Sequence, residues 1–255
     1  MCIIFRRMNH INIVPIFNQR APLIWSTFVG IQSAAMRSAY KYKTSQQEMA
    51  LNIAMLNTAW ARQPCFAFAA YNVYNKMVGC IHGCIGQPYT TVNGLYVLPE
   101  YKKMGIGSML LAASERAASV YANRVKLTAL WNAKNFYQAR QYNVLSVRDG
   151  LYEKHISTSG ADKVVPIFVC SNDVAMLCDN IAQVYDLRFD ASDVNKKHLP
   201  MFAYLHADMT IGGYILGASS GAEKDVRIAQ LCVGDPNRHD IVRRLIESMA
   251  AMNIR

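Results

Sequence analysis

Two lysines and two glycines stand close together in "LYVLPEYKKMGIGSMLLAASERAA", residues 95 to 118. An alternating apolar run ends at Leu98-Pro99, Lys102-Lys103-Met104-Gly105-Ile106-Gly107-Ser108 follows, and an Ala/Leu-rich segment takes over without a pause. Ile106, Leu110, Ala113, Ala117 and Val120 fall at helical spacing, so this segment is expected to be a helix with one face on a sheet. Glycine helps a helix little. At the first turn, however, the N–H groups are unpaired and carry a partial positive charge, and glycine lets a phosphate approach the backbone without meeting a Cβ. Lys102 and Lys103 add two charges at that place, so the chemistry indicated is anion binding. The competing reading is a plain strand-to-helix loop with glycines for turning.

A second constellation is Cys80-Ile81-His82-Gly83-Cys84, where alternation along a strand would turn Cys80, His82 and Cys84 to one face. No fourth ligand lies nearby in sequence, so small residues lining a sheet face are expected here and no metal. The seven cysteines are odd in number and mostly embedded in apolar segments, which suits reduced core thiols and a cytoplasmic location.

The elements that must hold these groups have ample material, with 255 residues of which 52% are hydrophobic. There is no 18-residue apolar run, so no membrane partner is expected. Arg6, Arg7 and His10 interrupt the first apolar stretch and no small-residue cleavage site follows, which argues against a signal peptide; Met8 is an alternative start. The net charge of +10 is uneven: residues 1–160 hold 17 Lys and Arg against 5 Asp and Glu, whereas residues 161–255 hold 10 against 12. The basic first part favours polyanionic ligands and disfavours strongly cationic ones.

The chain also resembles itself. "VPIF" stands at 14–17 and again at 165–168, "CFAFAAYN" (65–72) matches "MFAYLHAD" (201–208), and at the same offset of 136 residues 95–118 run against "LCVGDPNRHDIVRRLIESMAAMNI". An internal repeat is expected, with one unit over 1–158, a polar linker at 159–163, and a shorter second unit over 164–255. Each copy begins with a strand (11–17; 164–169), passes through helical sequence, and enters a hairpin with a polar turn (72–76; 207–210). Ser45 and Glu48 form a capping-box pattern opening a second helix. The first copy continues with a strand (125–130), a short helix (133–141) and a hairpin turning at Asp149-Gly150. The second ends one helix after its loop, where Asp240, Ile241 and Arg243 replace Met104, Gly105 and Gly107. Those side chains would fill an anion site, so a single site per chain is expected.

Strand, Pro99, an aromatic-basic stretch, and then Lys102-Lys103-Met104-Gly105-Ile106-Gly107 resemble the acyl-CoA signature of the GNAT N-acetyltransferases, Arg/Gln-x-x-Gly-x-Gly/Ala. The resemblance covers residues 11 to about 158, with Lys102 where Arg or Gln is usual. It implies an α+β, three-layer α/β/α fold with a mixed, mostly antiparallel sheet flanked by helices, here with a tandem repeat. It further implies acetyl-CoA as co-substrate, with Leu95, Tyr96 and Val97 along the pantetheine arm and the segment Lys102, Lys103, Met104, Gly105, Ile106, Gly107 and Ser108 on the pyrophosphate. The family's late tyrosine is matched by Tyr137 in Phe136-Tyr137-Gln138-Ala139-Arg140-Gln141-Tyr142, where Gln141-Tyr142 replaces the usual Gly-Phe. Ala133 fits, the family's frequent Asn is Leu130 here, and Asn132 is a neighbour that could substitute.

Direct transfer is what the resemblance implies: a neutral amine attacks the thioester, a donor steadies the carbonyl oxygen, and Tyr137 protonates the leaving thiolate. Tyr137 could instead be a core aromatic. No Asp or Glu occurs between Glu48 and Glu100, so His82 or Asn93, through water, stand as base, unless the acceptor arrives neutral. The acceptor implied is a small-molecule amine or a peptide. A non-catalytic acyl-CoA-binding module is the reading from another class. Acetylation of aminoacyl-tRNA is a third; against nucleic acid stands the lack of any Arg/Lys run. A homodimer is a further partner reading.

Overall fold

The computed structural model describes residues 11–17, 21–157, 161–197, 199–219 and 226–252. Cys2, Arg6, Arg7, Met8, His10 and the start of the linker lie outside the described residues.

The first unit is a seven-stranded sheet with helices on both faces. Its elements are β1 (Asn12–Pro15), α1 (Ala21–Tyr40), α2 (Gln46–Arg62), β2 (Cys65–Tyr71), β3 (Met77–Cys84), β4 (Thr90–Val97), α3 (Ile106–Ala118), β5 (Arg124–Thr128), α4 (Lys134–Gln138), β6 (Asn143–Ser146) and β7 (Leu151–His155). The strand order is β1-β2-β3-β4-β5-β7-β6, and β4–β5 is its only parallel pair among the described residues. Alternation along β2 sends Phe66, Phe68 and Ala70 to α3, and Ala67 and Ala69 to α1, whose Trp25 and Phe28 cover them. The capping box forms as its sequence requires: Ser45 accepts from the Glu48 amide, and Glu48 from the Ser45 amide at 2.7 Å.

The second unit comprises β8 (Lys163–Pro166), α5 (Asn172–Gln183), α6 (Ala191–Lys197), β9 (Met201–Leu205), β10 (Ile211–Ser219), β11 (Val226–Val233) and α7 (His239–Ala250). Its sheet runs β11-β10-β9-β8, all antiparallel, with α5 and α6 on one face and α7 on the other. β4 and β11 lie 136 residues apart, as their sequences do. Pro15 and Pro166, which lack an N–H, stand at the same place in β1 and β8.

The units meet through their equivalent first strands. Phe17 and Phe168, the last residues of the two VPIF segments, stack with ring centroids 5.2 Å apart. Phe17 packs on Phe202 of β9 at 5.8 Å, and Phe168 on Phe66 of β2 at 6.4 Å; Phe66 and Phe202 are 136 apart. A residue of one unit therefore touches in the other what its counterpart touches in return, the pattern of a two-fold interface. Tyr121, just beyond α3, ties the seam further: its hydroxyl accepts from the Phe168 and Val169 amides and donates to the Val169 carbonyl.

An open sheet edge at β11 is what the sequence leads one to expect, with the first unit as one way of covering it. The first unit instead sits on the β8 side, and β11 remains an edge strand. Loop contacts brush it: Tyr185 donates to the Val233 carbonyl at 2.7 Å, and Gln230 to the Arg188 carbonyl at 3.0 Å.

Candidate active site

The parallel ladder between β4 and β5 spans only Thr90–Val92 against Val125–Leu127. Beyond it the two strands part. The cause is local to β4, where His82 faces Gly94 but Gly83 faces Val92, leaving Asn93 as an extra, bulged residue. A bulge bends its strand and increases its twist. Past the bulge β4 keeps β3 but has no pairing to β5, and Leu98 donates to the Val78 carbonyl. Alternation from that bond turns the backbones of Gly94 and Tyr96 toward β3 and those of Leu95 and Val97 toward the gap. A cleft of about 90 Å³ occupies the gap, bordered by Asn93, Leu95, Tyr96, Leu130 and Tyr137.

At one end of β4 the lysine-glycine loop enters α3. Gly105 is the N-cap, with φ +82°, a left-handed value suited to glycine, and a Cβ added there would meet nothing within 4 Å. Ser108 and Met109 donate to the Gly105 carbonyl, whereas the amides of 103–107 have no backbone acceptor among the described residues. Lys102, Lys103 and Met104 are exposed, Ile106 is buried, and Gly107 and Ser108 are half-buried. Gly107 has a packing role beside the expected one: a Cβ on it would lie 3.3 Å from the Phe136 ring, so this glycine lets α4 close on α3.

Sequence reasoning missed Arg140. Its guanidinium lies on the Phe136 ring at 3.7 Å, donates to the Phe136 carbonyl and, through Nε and Nη2, to the Ser108 hydroxyl, which fixes a cation beside the first turn of α3. The i,i+4 spacing from Phe136 was the available signal. Gln141 follows in a left-handed conformation, φ +65°, where the signature's glycine would be at ease; its substitution carries a cost of about 1 kcal/mol.

Tyr137 reaches the cleft from α4, 7% exposed, among the rings of Phe136, Tyr142 and Tyr152. Its hydroxyl has no protein hydrogen-bond partner among the described residues. Burial pushes its pKa up to about 12, so it stays protonated through the neutral range and can donate.

His82 lies under the α1 face, 6.3 Å from the Trp25 ring, and is pressed against Gly94, where a Cβ would come within 2.6 Å of its Nε2. Burial pushes its pKa down to about 4, which leaves the imidazole neutral but a weak base. Asn93, exposed at the cleft wall, donates Nδ2 to the Cys84 sulfur at 3.1 Å. Asn132 is not brought to the cleft; its Oδ1 accepts from the Tyr40 hydroxyl at 2.8 Å at the end of α1. No Asp or Glu borders the cleft, and no group of acidic, His and Cys residues able to hold a metal occurs among the described residues.

In the second unit the corresponding turn is occupied by the protein itself. Arg238 pairs with Asp240 at 2.8 Å, and Ile241 is buried.

Residues 63–144 match the family model of the acetyltransferase (GNAT) domain. Among solved structures it is similar to the PaiA N-acetyltransferase of Thermoplasma acidophilum in complex with coenzyme A (17% identity, 57% of this chain and 99% of that one, TM-score 0.47). It is also similar to a GNAT family acetyltransferase of Staphylococcus aureus Mu50 (13%, 58% and 100%, 0.47) and to one of Brucella melitensis in complex with acetyl-CoA (15%, 58% and 90%, 0.44). No curated protein gives a significant match. Among the described residues no helix is long and apolar enough to cross a membrane.

Proposed function

We propose that this protein transfers an acetyl group from acetyl-CoA to a primary amine at the single cleft of residues 1–158, with 164–255 acting as a degenerate, truncated repeat of the same plan. The observation that carries the reading is the separation of β4 from β5 next to a helix N-terminus with free amides and fixed cations. These residues fit the co-substrate: the amides of 103–107, with Lys102, Lys103 and Arg140, suit a pyrophosphate, and the open backbone of Leu95 and Val97 suits an amide-bearing arm. Acetyl-CoA supplies an activated acyl group on a thiolate leaving group. The Leu95 N–H is the donor for the carbonyl oxygen as it gains charge, and Tyr137 gives its proton to the departing sulfur.

Equivalent strands meeting at Phe17 and Phe168 support the repeat, since a duplicated unit can retain the reciprocal contacts of a two-fold dimer within one chain.

With no carboxylate at the cleft, the acceptor is an amine that is neutral in useful amount near pH 7 or one held by backbone groups, and desolvating a polycation there is costly. The test is release of CoA thiol from acetyl-CoA with a panel of amines and peptides. Turnover is expected with weakly basic amines and with peptide N-termini, and not with spermidine or kanamycin. Saturable acetylation of either polycation contradicts this account of the acceptor. Tight binding with no CoA release across the panel, or release only with aminoacyl-tRNA, would move the function to the binding-module or tRNA readings.

Tyr137→Phe is expected to lower kcat roughly 100-fold while acetyl-CoA affinity stays within about twofold. The fold should be indifferent, because the hydroxyl has no protein partner to lose. Unchanged kcat returns Tyr137 to the core.

A further inference from the structure

Cys84 ends β3 beside the cleft, half-buried, and three donors converge on its sulfur. Gln63 Nε2 stands at 3.0 Å, Asn93 Nδ2 at 3.1 Å, and the Cys65 sulfur at 3.9 Å. Two amide N–H groups aimed at one sulfur suit a thiolate rather than a thiol. Cys65 faces Cys84 directly across β2 and β3. The bond from the Ile85 amide to the Pro64 carbonyl makes this a non-hydrogen-bonded pair, in which the Cα atoms of opposite residues lie about 4.5 Å apart and the side chains are closest. That separation falls at the short end of the disulfide range, roughly 4.4–6.8 Å. The hydrogen bond from Cys65 lowers the pKa of Cys84, against the effect of burial and assisted by Asn93, and the same bond and burial raise that of Cys65. The other four described cysteines are buried, and none is recorded with a second sulfur as hydrogen-bond partner.

We propose that Cys65 and Cys84 form an oxidant-reactive dithiol, a modification site whose co-reactant is a small hydroperoxide. The Cys84 thiolate attacks the hydroxyl oxygen of the peroxide, the O–O bond breaks, and the departing alkoxide or hydroxide takes a proton from solvent, giving Cys84 sulfenic acid. The Cys65 thiol then attacks that sulfur, hydroxide leaves as water with the thiol proton, and a disulfide remains. Closing it removes the sulfur anion that Asn93 holds at the cleft wall. The chemistry is independent of acetyl transfer.

The test treats the full-length protein with a few equivalents of hydrogen peroxide, blocks free thiols, and maps non-reduced tryptic peptides by mass spectrometry. Cleavage at Arg62, Lys76 and Lys102 separates Cys65 from Cys84, and fragmentation distinguishes Cys84 from Cys80 on the same peptide. The expected product is a reducible Cys65–Cys84 cross-link. Cys65→Ser is expected to trap Cys84 as a dimedone-reactive sulfenic acid, and Cys84→Ser to leave Cys65 unoxidised. Overoxidation of Cys84 in the wild type without a cross-link, a bond from Cys84 to any other cysteine, or an unmodified pair under conditions that oxidise a control dithiol overturns the proposal.

Discussion

Gly105→Asp is expected to weaken acetyl-CoA binding by at least about 100-fold while leaving the protein folded. The added Cβ meets open space, and the left-handed backbone at φ +82° costs an L-residue about 1–2 kcal/mol. The Asp carboxylate also sits at the positive end of α3, near the first-turn amides, and returns about 0.3–1 kcal/mol. The net change in melting temperature is therefore a few degrees. Those amides are the ones assigned to the pyrophosphate, and each hydrogen bond to a charged group contributes about 1.5–3 kcal/mol. A like charge that keeps the pyrophosphate off those amides accounts for the loss, at about 1.4 kcal/mol per tenfold. Gly105→Asn, similar in size and tolerant of the left-handed backbone but uncharged, should fall between. Calorimetric affinity for Gly105→Asp within tenfold of the wild type would place the phosphate elsewhere. Gly107 is a poorer position for this test, because a side chain there drives Phe136, and Arg140 with it, off α3.

Residues 161–255 alone are expected to be insoluble or molten, and the full chain to melt in one transition. Separation from the first unit strips Phe168, Phe202 and Val164 of Phe17 and its neighbours and removes the Tyr121 hydroxyl from the Phe168 and Val169 backbone. Aromatic contacts contribute about 0.5–1.5 kcal/mol each beyond burial, and the fragment loses several at once, together with the amide partners. It would then carry an apolar face at β8 in addition to the open edge of β11, and such edges invite pairing between chains. A soluble, monomeric fragment with its own sharp calorimetric transition would contradict this.

Local signals in the sequence reached the elements well. The Ser45–Glu48 capping box, the apolar stripe from Ile106 to Ala117 and the turn at Gly150 are each written within a few residues, and each forms as read. The ends of strands are softer: β1 stops at Pro15 rather than Phe17, because proline has no N–H for the ladder, although Ile16 still donates to Ala67. What the sequence hid was register. The bulge at Asn93 that opens the cleft, the meeting of Cys65 with Cys84 across 19 positions, and the seating of Arg140 on Ser108 all depend on which residues oppose one another between distant elements. The repeat expected from VPIF and the offset of 136 gave no hint of the seam between the units. Aromatic packing at Phe17 and Phe168 selects the β8 side and leaves β11 at the edge.

The central claim is that one cleft, in the first unit, takes acetyl-CoA, and that the second unit has filled its own with Asp240, Ile241 and the Arg238 ion pair. Isothermal titration of the full chain with acetyl-CoA tests this most directly. One molecule bound per chain is the result the account predicts; two per chain, or none, would contradict it.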